Sequence, residues 1–243
     1  MTSASRRVLD TKRPNPWPAA DLLGPAVTYK RGTVIAEAAS PVRRLFLIER
    51  GVVGRIVRGV DRDVLDSVRT VGWLIGAVSA LTGGRYEARV VAVSECQLRP
   101  LDVEPFATAL ERQDVSRWLN LVLAADIRAA VVRTSALAER RIRPLIENLL
   151  VDLMSAAGRK TDEGSVRLTF DLSVSDVATL VGASREHTSR VLSELEDQAV
   201  MMRVRGWFTI PAESPLLRQV AVEDGHVSRD AASRVRPHHG RED

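Results

Sequence analysis

Residues 184–192 read Ser-Arg-Glu-His-Thr-Ser-Arg-Val-Leu, and three of them, Arg185, Glu186 and Arg190, carry charge within a short stretch. A guanidinium is a planar fork of donors and a carboxylate only accepts, so the set can match a fixed pattern on a flat polar edge. Guanine O6 and N7 suit the fork, and the cytosine amino group suits the carboxylate. The plainer alternative is a solvated helix face, with Glu186 and Arg190 four residues apart as one ion pair. Net charge does not choose between them. Over residues 184–205, Arg185, Arg190, Arg203 and Arg205 balance Glu186, Glu194, Glu196 and Asp197. Placement has to decide.

The flanking residues supply that placement. Ser173 followed by Asp176 predicts a helix N-cap with an acidic residue suited to the helix dipole. Val177, Ala178 and Val181 give that helix a short apolar face, and Gly182 permits a sharp turn. Ser184 can cap a second helix, on which Thr188, Val191, Leu192 and Leu195 share one face. Glu186, Ser189, Arg190 and Ser193 fall opposite, and Arg185 projects from the flank of the first turn. Ala178, Gly182 and Val191 have the separation of a helix-turn-helix, whose second helix meets base edges through its N-terminal residues. The stretch AVMMRVRGWFTIP then reads as a hairpin turning at Gly206. Arg203 and Arg205, alternating with Val204, share a face there and can reach phosphates as a wing.

Upstream the pattern changes. Between Tyr29 and Asp102, YKRGTVI, RRLFLIERGVVGRIV, DVLDSVRTVGWLIGAV and YEARVVAVSECQLRPL read as short strands, with Gly32, Gly51, Gly72 and Gly76 at turns. Such spacing predicts a sandwich or barrel-like roll. From Val115, the residues Val115, Trp118, Val122, Ala125, Ala129, Val132 and Ala136 follow a 3,4 spacing, which predicts a dimer seam on a long helix. Leu119, Leu123, Ile127, Ala130 and Leu137 form a second stripe beside it. A helix sunk in its own core fits the same spacing. A further helix is expected over Ile142 to Ala157, ended by Gly158. RKTDEG then reads as a turn, and Val166, Leu168 and Phe170 as a strand. Three prolines near the start and a charged, aperiodic end predict mobile termini.

Composition narrows the class. The 243 residues carry a net charge of +4, which fits an anionic partner without requiring one. A single cysteine, Cys96, excludes an intrachain disulfide framework and a cluster held by four thiolates of one chain. The four histidines are His187, His226, His238 and His239, and none lies in the expected roll, so no haem ligand or metal site is expected there. GxSxG, P-loop and GxGxxG motifs are absent, so an enzyme is not expected. With no secretory start and no long apolar window, a cytoplasmic location is expected.

GASREHTSRVLSELEDQ closely resembles the recognition segment of the Crp–Fnr superfamily, of the cyclic-AMP receptor type, and the likeness extends over nearly the whole ordered chain. The resemblance implies an α+β chain: an N-terminal arm (1–24), a jelly-roll-like β-roll of the cyclic-nucleotide-binding kind (25–112), a dimerisation helix (113–139), a winged helix-turn-helix (140–221) and a tail (222–243). It implies a bacterial, homodimeric transcription regulator in which Arg185, Glu186 and Arg190 read a TGTGA-like half-site. Ser173, Ser184, His187 and Ser189 would join Arg203 and Arg205 on the DNA backbone. RNA polymerase is an expected partner if the protein activates. The family's nucleotide cassette pairs a glycine–glutamate with a later arginine and hydroxyl residue. Here the matching positions are Gly76-Ala77 and Tyr86-Glu87, with Arg85 and Arg89 nearby and Thr134-Ser135 as a hydroxyl pair for a purine. Alanine offers the ribose no acceptor and Glu87 would repel the phosphate. No cofactor is therefore expected. The alternatives are an ordinary cyclic-AMP-gated regulator and a weakly selective architectural DNA-binding protein.

Overall fold

The computed structural model describes residues 17–58, 63–138, 141–204 and 207–220, without the side chains of residues 64, 125, 126, 129, 130, 132, 133 and 136–138. Its first half comprises β1 (Val27–Tyr29), β2 (Val34–Ala36), β3 (Arg44–Arg50), β4 (Val53–Arg58), β5 (Asp63–Arg69), β6 (Leu74–Ile75), α1 (Ala77–Thr82), β7 (Arg89–Ala92), β8 (Cys96–Asp102) and α2 (Val103–Ala109). The strands form two antiparallel sheets, β1-β8-β3-β6 and β2-β7-β4-β5. Inward residues of both, including Phe46, Ile48, Val53, Val90, Ala92 and Leu98, make one apolar core. The four turn glycines of the roll all have φ between 83° and 90°. One segment departs from expectation: Ala77–Thr82 is a helix, although GAV reads as the end of a strand.

The arm is also corrected in part. Trp17 and Ala19 are 4% and 0% exposed, and the Trp17 ring meets Trp118 edge-on at 5.0 Å. Burying so large an aromatic surface outweighs the aperiodic, proline-rich sequence around it. Residues 1–16 and the expected tail (222–243) lie outside the described residues.

The long helix α3 (Gln113–Ala138) follows. Val115, Trp118, Leu119 and Val122 pack with Leu45, Leu74, Leu101 and Phe106 inside the roll. The first half of the expected dimer seam is thus turned into its own chain. A 3,4 spacing specifies an apolar stripe and leaves open what covers it. The exposed apolar residues Leu121, Ile127 and Val131 lie on the other side, because each residue advances about 100° around the axis. The side chains of Ala125, Ala129, Val132 and Ala136 lie outside the described residues.

Beyond it come α4 (Ile142–Ala157), β9 (Gly158–Lys160), β10 (Val166–Leu168), α5 (Val174–Val181), α6 (Arg185–Asp197), β11 (Met202–Val204) and β12 (Trp207–Ile210). The strands form a sheet in the order β11-β12-β10-β9. Arg159 and Lys160, expected in a turn, instead pair with Arg167 and Val166. The core residues Leu145, Leu149, Leu153, Phe170, Val177, Leu192 and Leu195 are each 2% exposed or less.

The two halves share apolar surface. Val52 and Val68 belong to the same buried cluster as α4, α5 and α6, with Leu65 and Val93 packed against it. Gly54 keeps this side of β4 flat, since a Cβ there would come 2.5 Å from Leu65 Cδ1 and 2.6 Å from Val93 Cγ2. At the edge, Arg31 donates to Asp171 at 2.9 Å and its guanidinium lies 6.0 Å from the Trp207 ring centre. Both charged side chains are well exposed, so the pair adds little beside the apolar contact.

A second tie joins β11 to α6. Arg203 Nε donates to Glu196 Oε1 at 2.8 Å and Nη2 donates to Oε2. This guanidinium holds the Glu196 carboxyl below its ordinary value of 4.5.

Val68→Ala removes two buried methyl groups at the junction and should lower stability by about 2 kcal/mol in urea unfolding. No loss would mean that the two halves do not share a core. Glu196→Gln should cost about 0.5–1 kcal/mol at neutral pH. Because the folded carboxyl titrates below its unfolded value, this contribution is present above about pH 4.5 and fades as pH falls through the lowered folded value. Wild type and variant should therefore converge in acid, and a constant gap down to about pH 2 would contradict the pairing.

Candidate DNA-binding interface and effector cavity

Helix α5 starts at a complete capping box: Ser173 Oγ accepts from the Asp176 N–H at 3.1 Å, and Asp176 Oδ2 accepts from the Ser173 N–H at 3.0 Å. It ends at Gly182, whose φ of 78° and ψ of 27° are left-handed and favour a residue without Cβ. Two residues later, Ser184 Oγ accepts from the His187 N–H and starts α6. The sharp turn and the two caps fix the angle at which α6 leaves α5.

Rotation of α6 about its own axis is fixed by burial. Thr188, Val191, Leu192 and Leu195 are its buried residues. Arg185, Glu186, Ser189 and Arg190 are exposed, and His187 is half-buried. Among the described residues no ion pair ties Glu186 to Arg190, so neither charge is engaged within the helix. Of the expected backbone contacts, the Ser173 and Ser184 hydroxyls serve first as caps. The Arg203 guanidinium is engaged by Glu196. Arg205 and Gly206 lie outside the described residues.

The roll holds a partly open cavity of about 200 Å³ between β4, β5, α1 and α3. Trp73, Tyr86, Trp118, Val122 and Leu123 are among its walls. Of the expected effector residues, Gly76, Ala77, Tyr86 and Glu87 line it, whereas Arg85, Arg89, Thr134 and Ser135 do not. Arg85 Nη1 donates to the Ala39 carbonyl at 2.7 Å, and Arg89 pairs with Asp63. Thr134 and Ser135 are exposed on α3.

Tyr86 is 6% exposed and its hydroxyl donates to the Arg44 carbonyl at 2.6 Å. Burial pushes this phenol up to about 12, so it stays neutral. Two arginines reach the cavity without appearing among the expected residues. Arg55 Nε donates to Asp66 at 2.8 Å and Nη1 donates to Glu87 at 3.2 Å. The Arg69 guanidinium lies 4.7 Å from the Trp73 ring centre. Two carboxylates on Arg55 cancel its attraction for an anion, and an anion about 5 Å from Glu87 would meet roughly 3 kcal/mol of repulsion at an effective dielectric near 20. The alternation of Val53 with Arg55 and of Ser67 with Arg69 is the available sequence signal, since alternate residues share a sheet face. Trp118 escapes sequence reasoning because the heptad spacing assigns it to a partner.

Cys96 is buried, with Sγ 3.2 Å from the Val52 carbonyl, and burial raises its thiol. Among the described residues, no group of three or more His, Cys, Asp or Glu could hold a metal ion, and no helix is long and apolar enough to cross a membrane.

Residues 26–113 match the cyclic nucleotide-binding domain, and residues 146–218 match the Crp-like helix-turn-helix domain. The CRP-like cAMP-activated global transcriptional regulator of Mycobacterium tuberculosis is 25% identical over 193 residues, spanning 79% of this chain and 83% of its own. The cyclic AMP receptor protein of Thermus thermophilus is 28% identical over 198 residues, spanning 79% and 86%. The fold is shared with a CRP/FNR-family transcriptional regulator of the same organism, at TM-score 0.63 and 20% identity, covering 81% of this chain and 98% of that one. FixK2 of Bradyrhizobium japonicum superimposes with TM-score 0.60 and 17% identity, over 83% and 99%. With a roll of the nucleotide-binding kind, a capped helix-turn-helix and both matches in chain order, this chain belongs to the Crp–Fnr family of DNA-binding transcription regulators.

Proposed function

We propose that two copies of this chain bind a palindrome of TGTGA-like half-sites, and that cyclic AMP does not control them through the usual cavity. The observation that carries the reading is the open edge of α6, where Arg185, Glu186 and Arg190 are exposed together while the opposite face is buried. Arg185 and Arg190 would take guanine O6 and N7, and Glu186 would accept from a cytosine amino group. Ser184, His187 and Ser189 stand beside them, toward the phosphates. Arg203 has a different role in this account: it braces β11 against α6.

Twofold pairing presents two such helices one DNA turn apart, as a palindrome requires. Leu121, Ile127 and Val131 are 57%, 66% and 58% exposed on α3, and a partner copy would cover them. The dimer face therefore moves around the helix from the expected seam. RNA polymerase is a partner if the protein activates.

Nucleotide independence is supported by the cavity: no ribose acceptor at Ala77, a carboxylate at Glu87, and a clasped Arg55. The opposing reading, gating by cyclic AMP, draws on the relative whose name calls it cAMP-activated. Footprinting on a TGTGA palindrome separates the two, because protection should be equal with and without the nucleotide. Protection only with cyclic AMP would establish gating.

Arg185→Ala should weaken that complex by about 1–3 kcal/mol and relax preference at one guanine, measured on single-base variants. An equal loss on random DNA would identify a phosphate contact instead. Ile127→Asp should convert the dimer to monomer in sedimentation and abolish tight palindrome binding. A variant that stays dimeric would place the contact elsewhere.

A further inference from the structure

The cavity in the roll has a composition of its own. Trp73 and Trp118 give it aromatic walls, and Val53, Ile75, Val90, Leu119, Val122 and Leu123 complete the apolar lining. Its charged residues are already paired or stacked: Arg55 holds Asp66 and Glu87, and Arg69 lies on Trp73. The Tyr86 hydroxyl is committed to the Arg44 carbonyl. Ser67 and Ser79 add hydroxyl groups to the wall.

We propose that this cavity takes a small uncharged aromatic molecule, of one or two fused rings with a hydroxyl or N–H group, in place of a cyclic nucleotide. The inference deepens the reading above and rests on its nucleotide-independent roll. Size fits: the cavity of about 200 Å³ is of the order of the ~150 Å³ space that admits benzene. Shape fits, because flat rings stack offset or edge-on against tryptophan. Charge disfavours an anion beside Glu87, since an arginine bound by two carboxylates has little left for a third acceptor, while Arg69 keeps its own charge at the Trp73 ring. The serine hydroxyls offer the single polar contact that orients a mainly apolar ligand.

Occupancy has a structural route outward. Val53, Arg55, Ser67 and Arg69 line the cavity from β4 and β5. Val52, Leu65 and Val68 of the same hairpin pack into the winged-helix core. A ligand on one side of this wall meets the DNA-binding half on the other.

Calorimetry on the full chain tests the ligand class with 2-naphthol as the neutral probe, 2-naphthoate as its anionic counterpart, and cyclic AMP. The expected result is one 2-naphthol per chain, naphthoate at least tenfold weaker, and no heat from cyclic AMP. Leu123→Phe, which fills the cavity, should abolish 2-naphthol binding. Glu87→Gln, at an exposed position that does not threaten folding, should narrow the gap between naphthol and naphthoate. Naphthol binding unchanged in a folded Leu123→Phe variant would overturn the site. Tight cyclic-AMP binding without naphthol binding would overturn the ligand class and the nucleotide independence together. Absence of binding by all three, with the palindrome still footprinted, would overturn this inference alone.

Discussion

Thr188, Val191, Leu192 and Leu195 cannot leave the core without exposing a full helical face to water, and this burial orients everything on α6. A helix buried along one side has no freedom to roll. Arg185, Glu186 and Arg190 are held outward by residues buried on the opposite face. The turn at Gly182 and the caps at Ser173 and Ser184 fix the exit angle, while Arg203 on Glu196 fastens the neighbouring strand. The outward placement of these three side chains is a by-product of packing on the reverse side, and it needs no net positive charge along the segment.

The β4–β5 hairpin plays a comparable part between the halves. Because side chains alternate across a strand, one hairpin can present a cavity wall and a docking surface at once. Gly54 allows the close approach, and Val52 and Val68 supply the apolar contact. The cavity wall and the docking surface are thus two faces of one packed hairpin.

Much of this is legible in the residue order, for reasons that differ by element. Helix α4 is readable because Leu145, Leu149 and Leu153 repeat at helical intervals and Gly158 follows. The recognition helix is readable because a cap, a turn glycine and a buried face coincide within fifteen residues or so. The strands of the roll carry glycines at their turns. Helix α1 is not readable: six residues, with no side-chain cap bond, leave almost no period to detect. Trp17 is hidden by the prolines around it, since its burial depends on Trp118, about a hundred residues away. The first half of the expected dimer seam, Val115 to Val122, misleads because spacing defines a stripe and never its occupant. The pairing of Arg203 with Glu196 is not readable, because nothing local reveals that the carboxylate faces it.

The most direct measurement is an unbiased selection of binding sites from random duplex DNA by the full-length protein in the absence of added nucleotide. The account predicts enrichment of an inverted repeat, with TGTGA-like half-sites centred about one helical turn, roughly 10 base pairs, apart. Recovery of no common motif, or of a lone half-site without its inverted partner, would contradict it.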